Sequence, residues 1–279
     1  MRVWAAVMAL AGIVGCGAAR AQQATGAGTD PEVGEASLLA GKALFLRGFY
    51  QGNTLNYDAA GRVQGSPKVG DWTLAAVNVL KAERRGAEEI ELEGVRVAIR
   101  YNPDAHEFQR HPLNDEKIRL VVKDPGDVKG LEAAFAVMFS VGIDPGLQRA
   151  MPDYWRHYFD PTLAWPQDAL GGQIIYPTYG PVDQRKDVTA PKVEHRVESK
   201  YGEFAVRDKV QGAIQLRLVV DANGTPMRIA ISRPLGYGLD ANAVEAVMKW
   251  RFAPGMKDGS PVATGVVVEE QFSLTIPPR

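Results

Sequence analysis

Residues 213–231 constrain this chain most. Ile214, Leu216, Leu218 and Val220 recur at every second position, with Gln215 and Arg217 between them. That period belongs to a strand with one buried face. Asp221-Ala222-Asn223-Gly224 follows, and Asn-Gly is a strong hairpin signal because both residues tolerate positive φ. Alternation then resumes, with Met227, Ile229 and Ile231 inward and Arg228 and Ser232 outward. A helix comes next. Asp240 suits its N-cap, Val244, Val247 and Met248 form its apolar stripe, and Pro254 and Gly255 close the element. Trp250 and Phe252, at the helix exit, are packing residues. Residues 262–276 alternate once more, with Val266, Val268, Phe272, Leu274 and Ile276 on one side and Val267, Glu269, Gln271, Ser273 and Thr275 on the other. Strand, strand, helix, strand predicts a small antiparallel sheet with one helix on a face.

The rest of the chain reads as a second α+β domain. Residues 40–160 hold several short alternating runs, with Asp58-Ala59-Ala60-Gly61 as a hairpin-like turn between residues 55–57 and 62–64. Glu89 to Tyr101 alternates with a break at Glu93-Gly94, and residues 117–123 alternate again. The expectation is a mainly antiparallel sheet. Leu131, Ala134, Phe135, Met138 and Phe139 then follow helical spacing, and a further helical pattern over 147–159 is interrupted or restarted at Pro152. Residues 161–192 contain five prolines and a Gly171-Gly172 pair and read as an irregular connector to the last domain, residues 193–279. Residues 22–39 are small and polar and read as a disordered leader.

The first 21 residues carry an early Arg2, an apolar run and Ala19-Arg20-Ala21, the pattern of a secretory signal peptide. Cys16, after Ile13-Val14-Gly15, also fits a bacterial lipobox, and an uncleaved anchor is the third reading. Because Cys16 is the one cysteine, an exported mature chain has no internal disulfide and depends on packing. The formal charge of −1 gives no clustered basic surface, so nucleic acid is not an expected partner.

Catalytic patterns are missing from the sequence. There is no Cys-x-x-Cys, His-Glu-x-x-His or Gly-x-Ser-x-Gly. Gly41-Lys42 fails as a phosphate loop, because Ala36 stands where glycine is required and Ala43 offers no hydroxyl. His106 and His111 lie in a polar stretch without an acidic pair and read as surface residues; Glu88, Glu89 and Glu91 read as a solvated strand face. Asn223-Gly224-Thr225 matches a glycosylation triplet, but the hairpin explains it better. The expectation is a non-enzyme with no metal and no cofactor.

An ordered set of residues in the last third resembles the C-terminal domain of the TonB energy-transducer family. The set begins with Val210-Gln211-Gly212, Val220-Asp221 and Gly224-Thr225-Pro226. It continues with Arg233-Pro234, Gly238-Leu239-Asp240, the helix, Trp250-Arg251-Phe252-Ala253-Pro254 and Phe272-Ser273-Leu274. The resemblance implies a periplasmic domain that binds the TonB box, a short extended segment of outer-membrane transporters, as an added strand beside its own last strand. The contact stretch carried over is Val266, Val267, Val268, Glu269, Glu270, Gln271 and Phe272. A long alternating terminal strand suits that role, because an edge presents unpaired N–H and C=O groups. The same edge would accept a second copy of the chain, giving a homodimer, and a covering loop is the alternative.

Two features depart from the family. Its typical members anchor through a transmembrane helix whose His couples to the motor proteins ExbB and ExbD. Here the apolar N-terminal run holds no His. Typical members also carry a long proline-rich arm, whereas residues 40–160 occupy the middle of this chain. Two readings follow: a transducer supporting energised uptake, or a periplasmic binding or scaffold module that transmits no force.

Overall fold

The computed structural model describes residues 30–179 and 187–274. The chain divides into two compact units, residues 1–144 and 145–279, and both mix helix with sheet in an α+β arrangement. Among the described residues, no helix is long and apolar enough to cross a membrane. Cys16 and the segment expected to direct export lie outside the described residues.

The first unit opens with α1 (Pro31–Ser37), where the sequence suggested a disordered leader. Asp30 caps it by accepting from the Glu32 and Val33 N–H groups, and Pro31 occupies the first turn. Only Ala36 of this helix is buried, which is why no apolar period marked it. Arg84 clamps the cap by pairing with Asp30, Glu32 and Asp124, and it holds the Asp30 carboxyl well below the usual range. Strands β1 (Leu44–Leu46), β2 (Thr54–Tyr57), β3 (Ala76–Arg85), β4 (Glu89–Asn102) and β5 (Glu107–Lys123) follow, then α2 (Val128–Met138) and β6 (Phe139–Val141). They form one sheet in the order β2-β5-β4-β3-β1-β6.

Three local expectations change here. Residues 62–64 do not return as a hairpin strand; Tyr57 makes a single bridge to Val63, while β2 pairs in parallel with β5. The helix ends at Met138, so Phe139 begins β6 instead of closing the helical stripe. Glu91 is buried and paired with Arg85 and Arg119 rather than solvated. The break at Gly94 is a packing requirement, since a Cβ there would lie 2.3 Å from the Asn78 carbonyl oxygen, beside a register shift in the β3–β4 ladder. One sheet face packs Leu46, Ile90, Leu120, Leu131 and Phe135 in a continuous core.

The second unit begins with α3 (Pro145–Ala150) and α4 (Asp153–Phe159), separated at Pro152 as the sequence suggests. Next come β7 (Tyr176–Pro177), β8 (Val188–Thr189), β9 (Lys192–His195) and α5 (Glu203–Arg207). Strands β10 (Gly212–Val220) and β11 (Pro226–Arg233) form the long hairpin, and α6 (Leu239–Val247) follows. The chain then runs through β12 (Arg251–Ala253), β13 (Gly255–Lys257) and β14 (Ser260–Val262) into β15 (Thr264–Phe272). The main sheet has the order β11-β10-β15-β7. Alternation sends Ile214, Leu216, Leu218 and Val220 to one face, all at most 3% exposed, and α6 packs against β10 and β11.

The hairpin departs from its expected form twice. Only Gly224 takes positive φ, at 79°, and Asp221 accepts from the Asn223 and Thr225 N–H groups. The loop is thus three residues closed by a left-handed glycine, not a two-residue Asn-Gly turn. Arg228 also has φ 50° and forms a bulge, so Arg217 pairs with Ala230 while Val219 pairs with Met227. The extra residue turns Met227 to the opposite face from Ile229 and Ile231, where it packs with Leu170 and Val219. Gly224 itself has no room for a side chain: a Cβ would lie 1.8 Å from the Phe252 carbonyl oxygen, and Phe252 N–H donates to the Gly224 carbonyl at 3.0 Å.

Asp240 is not the N-cap of α6. Gly238, in a left-handed conformation, holds that position. Asp240, fully buried, accepts from the Leu235 and Gly236 N–H groups at 2.9 and 2.7 Å and so fixes the loop that leads into the helix. Leu239 is buried beside it. Trp250 donates its indole N–H to the Val197 carbonyl, lies under the Arg196 guanidinium and tilts against Phe252. Burial of each ring at 4% exposure or less is consistent with a packing role, at a cost of about 3–5 kcal/mol for truncation to Ala. Pro254 separates β12 from β13.

Candidate functional site

The sheet of the second unit has one edge whose geometry follows from the β15 ladders. On its inner side β15 pairs with β10 along its full length, from Thr264 with Val220 to Phe272 with Gly212, without a register shift. On its outer side β7 pairs in parallel at Thr264 and Gly265 only. The Tyr176 and Thr178 N–H groups donate to the Ala263 and Gly265 carbonyls, both at 2.9 Å, and the Thr178 hydroxyl donates to the Gly265 carbonyl as well. Past that point no strand among the described residues pairs with the outer side of Val266, Val267, Val268, Glu269, Glu270, Gln271 and Phe272.

The β7 contacts also set the direction of the free groups. Backbone groups alternate sides along a strand. Since Ala263 and Gly265 point outward, so do Val267, Glu269 and Gln271, while Val266, Val268 and Glu270 point to β10. Each outward residue presents one N–H and one C=O.

The strand is held firmly from behind. Glu270, 2% exposed, accepts from Arg196 at 2.7 Å and from the Ser199 hydroxyl at 2.6 Å. Phe272 packs edge-on against Tyr201 with ring centroids 5.2 Å apart. On the other face Glu269 pairs with Arg233 and accepts from Gln215. Val267 is 42% exposed, an apolar contact point beside the open backbone. The seven residues expected from the sequence therefore lie on one strand, but Glu270 has a side chain committed to packing. Gly212, Asp221, Gly224, Leu239, Asp240, Trp250, Phe252 and Pro254 shape the hairpin, helix and turns behind it.

Sequence reasoning missed the role of residues 145–178. Helix α4 packs on β11, and Asp168 forms two hydrogen bonds to Arg228, at 2.8 and 2.7 Å. Leu170 is buried against Val219 and Ala263. What read as a connector therefore builds a wall on the second face of the sheet and ends as the strand β7. Gly180 and residues 181–186 lie outside the described residues. The available signal was faint: Arg217 and Val219 alternate on a face that a solvent-facing strand would make wholly polar.

Other groups offer less chemistry. His106 lies 3.3 Å from the Tyr101 hydroxyl through Nδ1. Glu83, Glu91 and Glu93 bring carboxylate oxygens within 4.8 Å of one another. Lys81 already pairs with Glu83, and Arg85 and Arg119 with Glu91.

Comparison with known proteins places these observations. The family described as Gram-negative bacterial TonB protein C-terminal matches residues 197–274. A relative, Protein TonB of Vibrio cholerae serotype O1, is 29% identical over 83 residues, covering 29% of this chain and 34% of that protein. The match thus spans about a third of the relative's length.

Proposed function

We propose, from the premise that residues 197–274 are a TonB C-terminal domain, that the chain acts in the bacterial cell envelope by binding an extended segment at the outer edge of β15. The partner is the TonB box of an outer-membrane transporter, and the contact stretch is residues 266–272. The observation that carries the reading is the parallel pairing of β7 at Thr264 and Gly265. It supports an edge suited to an extended strand, and no described strand takes up the outward donors and acceptors of the residues that follow. Strand addition draws affinity from such main-chain bonds and specificity from the flanking side chains.

The domain reads as a non-catalytic binding module, and the wider role is support of energy-dependent uptake from the periplasmic side. Coupling to ExbB and ExbD stays outside this proposal, because the apolar N-terminal run lacks the His of typical members. That absence favours the second reading, a periplasmic binding or scaffold module without force transmission. Titration of the isotope-labelled protein with a TonB-box peptide tests the binding claim. Amides of residues 266–272 shift saturably if it is correct; if they stay unmoved at saturating peptide, strand addition at β15 is wrong.

A further inference from the structure

The face of the β10–β11–β15 sheet opposite α6 carries a pocket of about 410 Å³ that the strand-addition reading does not use. Such a volume falls within the common range for small-molecule sites, about 300–1,000 Å³. Its polar groups converge in an informative way. His157, on α4, is 4% exposed and lines the pocket. Its ring lies flat on Trp165, with centroids 3.6 Å apart and planes 14° from parallel. No hydrogen bond joins either ring nitrogen to another described residue, so this largely buried side chain offers its polar atoms at the cavity wall.

Arg217 enters the same cavity from β10. The residue is half-buried, and its guanidinium makes no hydrogen bond or ion pair with another described residue. Arg228, the other cation of the lining, is already neutralised by Asp168 through two hydrogen bonds. Among the described residues, the pocket therefore holds one uncommitted positive charge. Burial lowers the His157 pKa below its ordinary value, with Arg156 and Arg217 acting in the same direction and Asp153 and Asp160 opposing; the neutral imidazole this favours supplies one donor and one acceptor. The remaining wall is largely apolar, formed by Pro161, Ile175, Pro177, Val219 and Ala230.

We propose that this pocket binds a small organic carboxylate with a flat apolar body. A planar guanidinium matches a carboxylate through two parallel hydrogen bonds. The His157 ring supplies a further polar contact, and the apolar wall takes the body. A single free cation among the described lining residues, beside a neutral imidazole, suits a monoanion better than a phosphate dianion.

The test uses the full chain labelled with ¹⁵N and ¹³C. Benzoate and indole-3-acetate are the probes, with acetate, benzylamine and inorganic phosphate as comparators. A saturable shift of the Arg217 Nε–Hε signal and the His157 ring signals with either probe is the expected result. Arg217→Gln weakens binding about tenfold or more, as loss of a charge-assisted pair requires, while its thermal midpoint verifies folding. Should that variant unfold, Arg217→Lys, which keeps the charge and loses the fork, is expected to bind more weakly than the parent. The proposal is overturned if neither probe gives a saturable shift, or if the folded variant binds as the parent does. Equal binding of acetate or benzylamine, or tighter binding of phosphate, likewise overturns it.

Discussion

Val267 and Val268 are neighbours with the same side chain and opposite backbone duties, which makes proline at each a controlled test of the β15 edge. The Gly265 carbonyl faces the outer strand and accepts from the Thr178 N–H, so Val267, two residues on, points its N–H outward. Val268 pairs with Leu216 inside the β10–β15 ladder. Proline removes the N–H and is tolerated on sheet edges but not inside a sheet. Val267→Pro gives up a donor that no described strand uses, and its side chain is already 42% exposed. Its effect on stability is about 1 kcal/mol or less, in line with substitutions away from the core. Val268→Pro orphans the partner carbonyl in the ladder and forces the ring against β10, at a cost of about 2–4 kcal/mol.

Binding should show the reverse order of importance. Three outward residues can offer six main-chain groups to an added strand. Removing one donor and crowding its neighbours costs about 1–2 kcal/mol, or about 5–30-fold in affinity. Urea unfolding and calorimetric titration with a TonB-box peptide measure the two quantities. Equal destabilisation by both substitutions would refute the assigned alternation. A stable Val267→Pro variant with parent-like affinity would refute strand addition at this edge.

Two further predictions concern the scaffold. Gly224→Ala combines a left-handed backbone with a Cβ placed 1.8 Å from the Phe252 carbonyl oxygen, and is expected to destabilise the second unit by about 2–5 kcal/mol in chemical denaturation. His157 has a folded pKa below its ordinary 6.5, so the unfolded chain binds the proton more readily. Its contribution is fully present above pH 6.5 and is lost as pH falls through 6.5 toward the folded value. Thermal midpoints measured from pH 7.5 to 5 are expected to fall less in His157→Gln than in the parent.

Much of the second unit was legible because its signals are local. Ile214, Leu216, Leu218 and Val220 need only period two to declare a buried face, and the order of hairpin, helix and terminal strand carried the resemblance. The misreadings have a common physical origin in tertiary context. Arg228 bulges so that its guanidinium reaches Asp168, far away in sequence, and the bulge turns Met227 over. Asp240 looks like a cap by position, yet its two acceptor bonds are to the preceding loop. Residues 161–178 look like a connector because their proline content hides contacts made through isolated residues: Asp168, Leu170 and Tyr176. In the first unit, Ala36 alone marks the buried side of α1, too little for any period to emerge. The edge stretch 266–272 was visible as alternation, but which backbone groups face outward depended on β7, which no sequence pattern announced.

Residue-resolved amide hydrogen exchange on β15, with and without saturating TonB-box peptide, tests the central claim most directly. Val266, Val268 and Glu270 already face β10 and should stay protected in both states. Val267, Glu269 and Gln271 should exchange quickly in the free protein and become protected only with peptide bound, giving an odd–even pattern along the strand. Uniform exchange along residues 266–272, or no gain of protection at the three outward amides, would contradict the account.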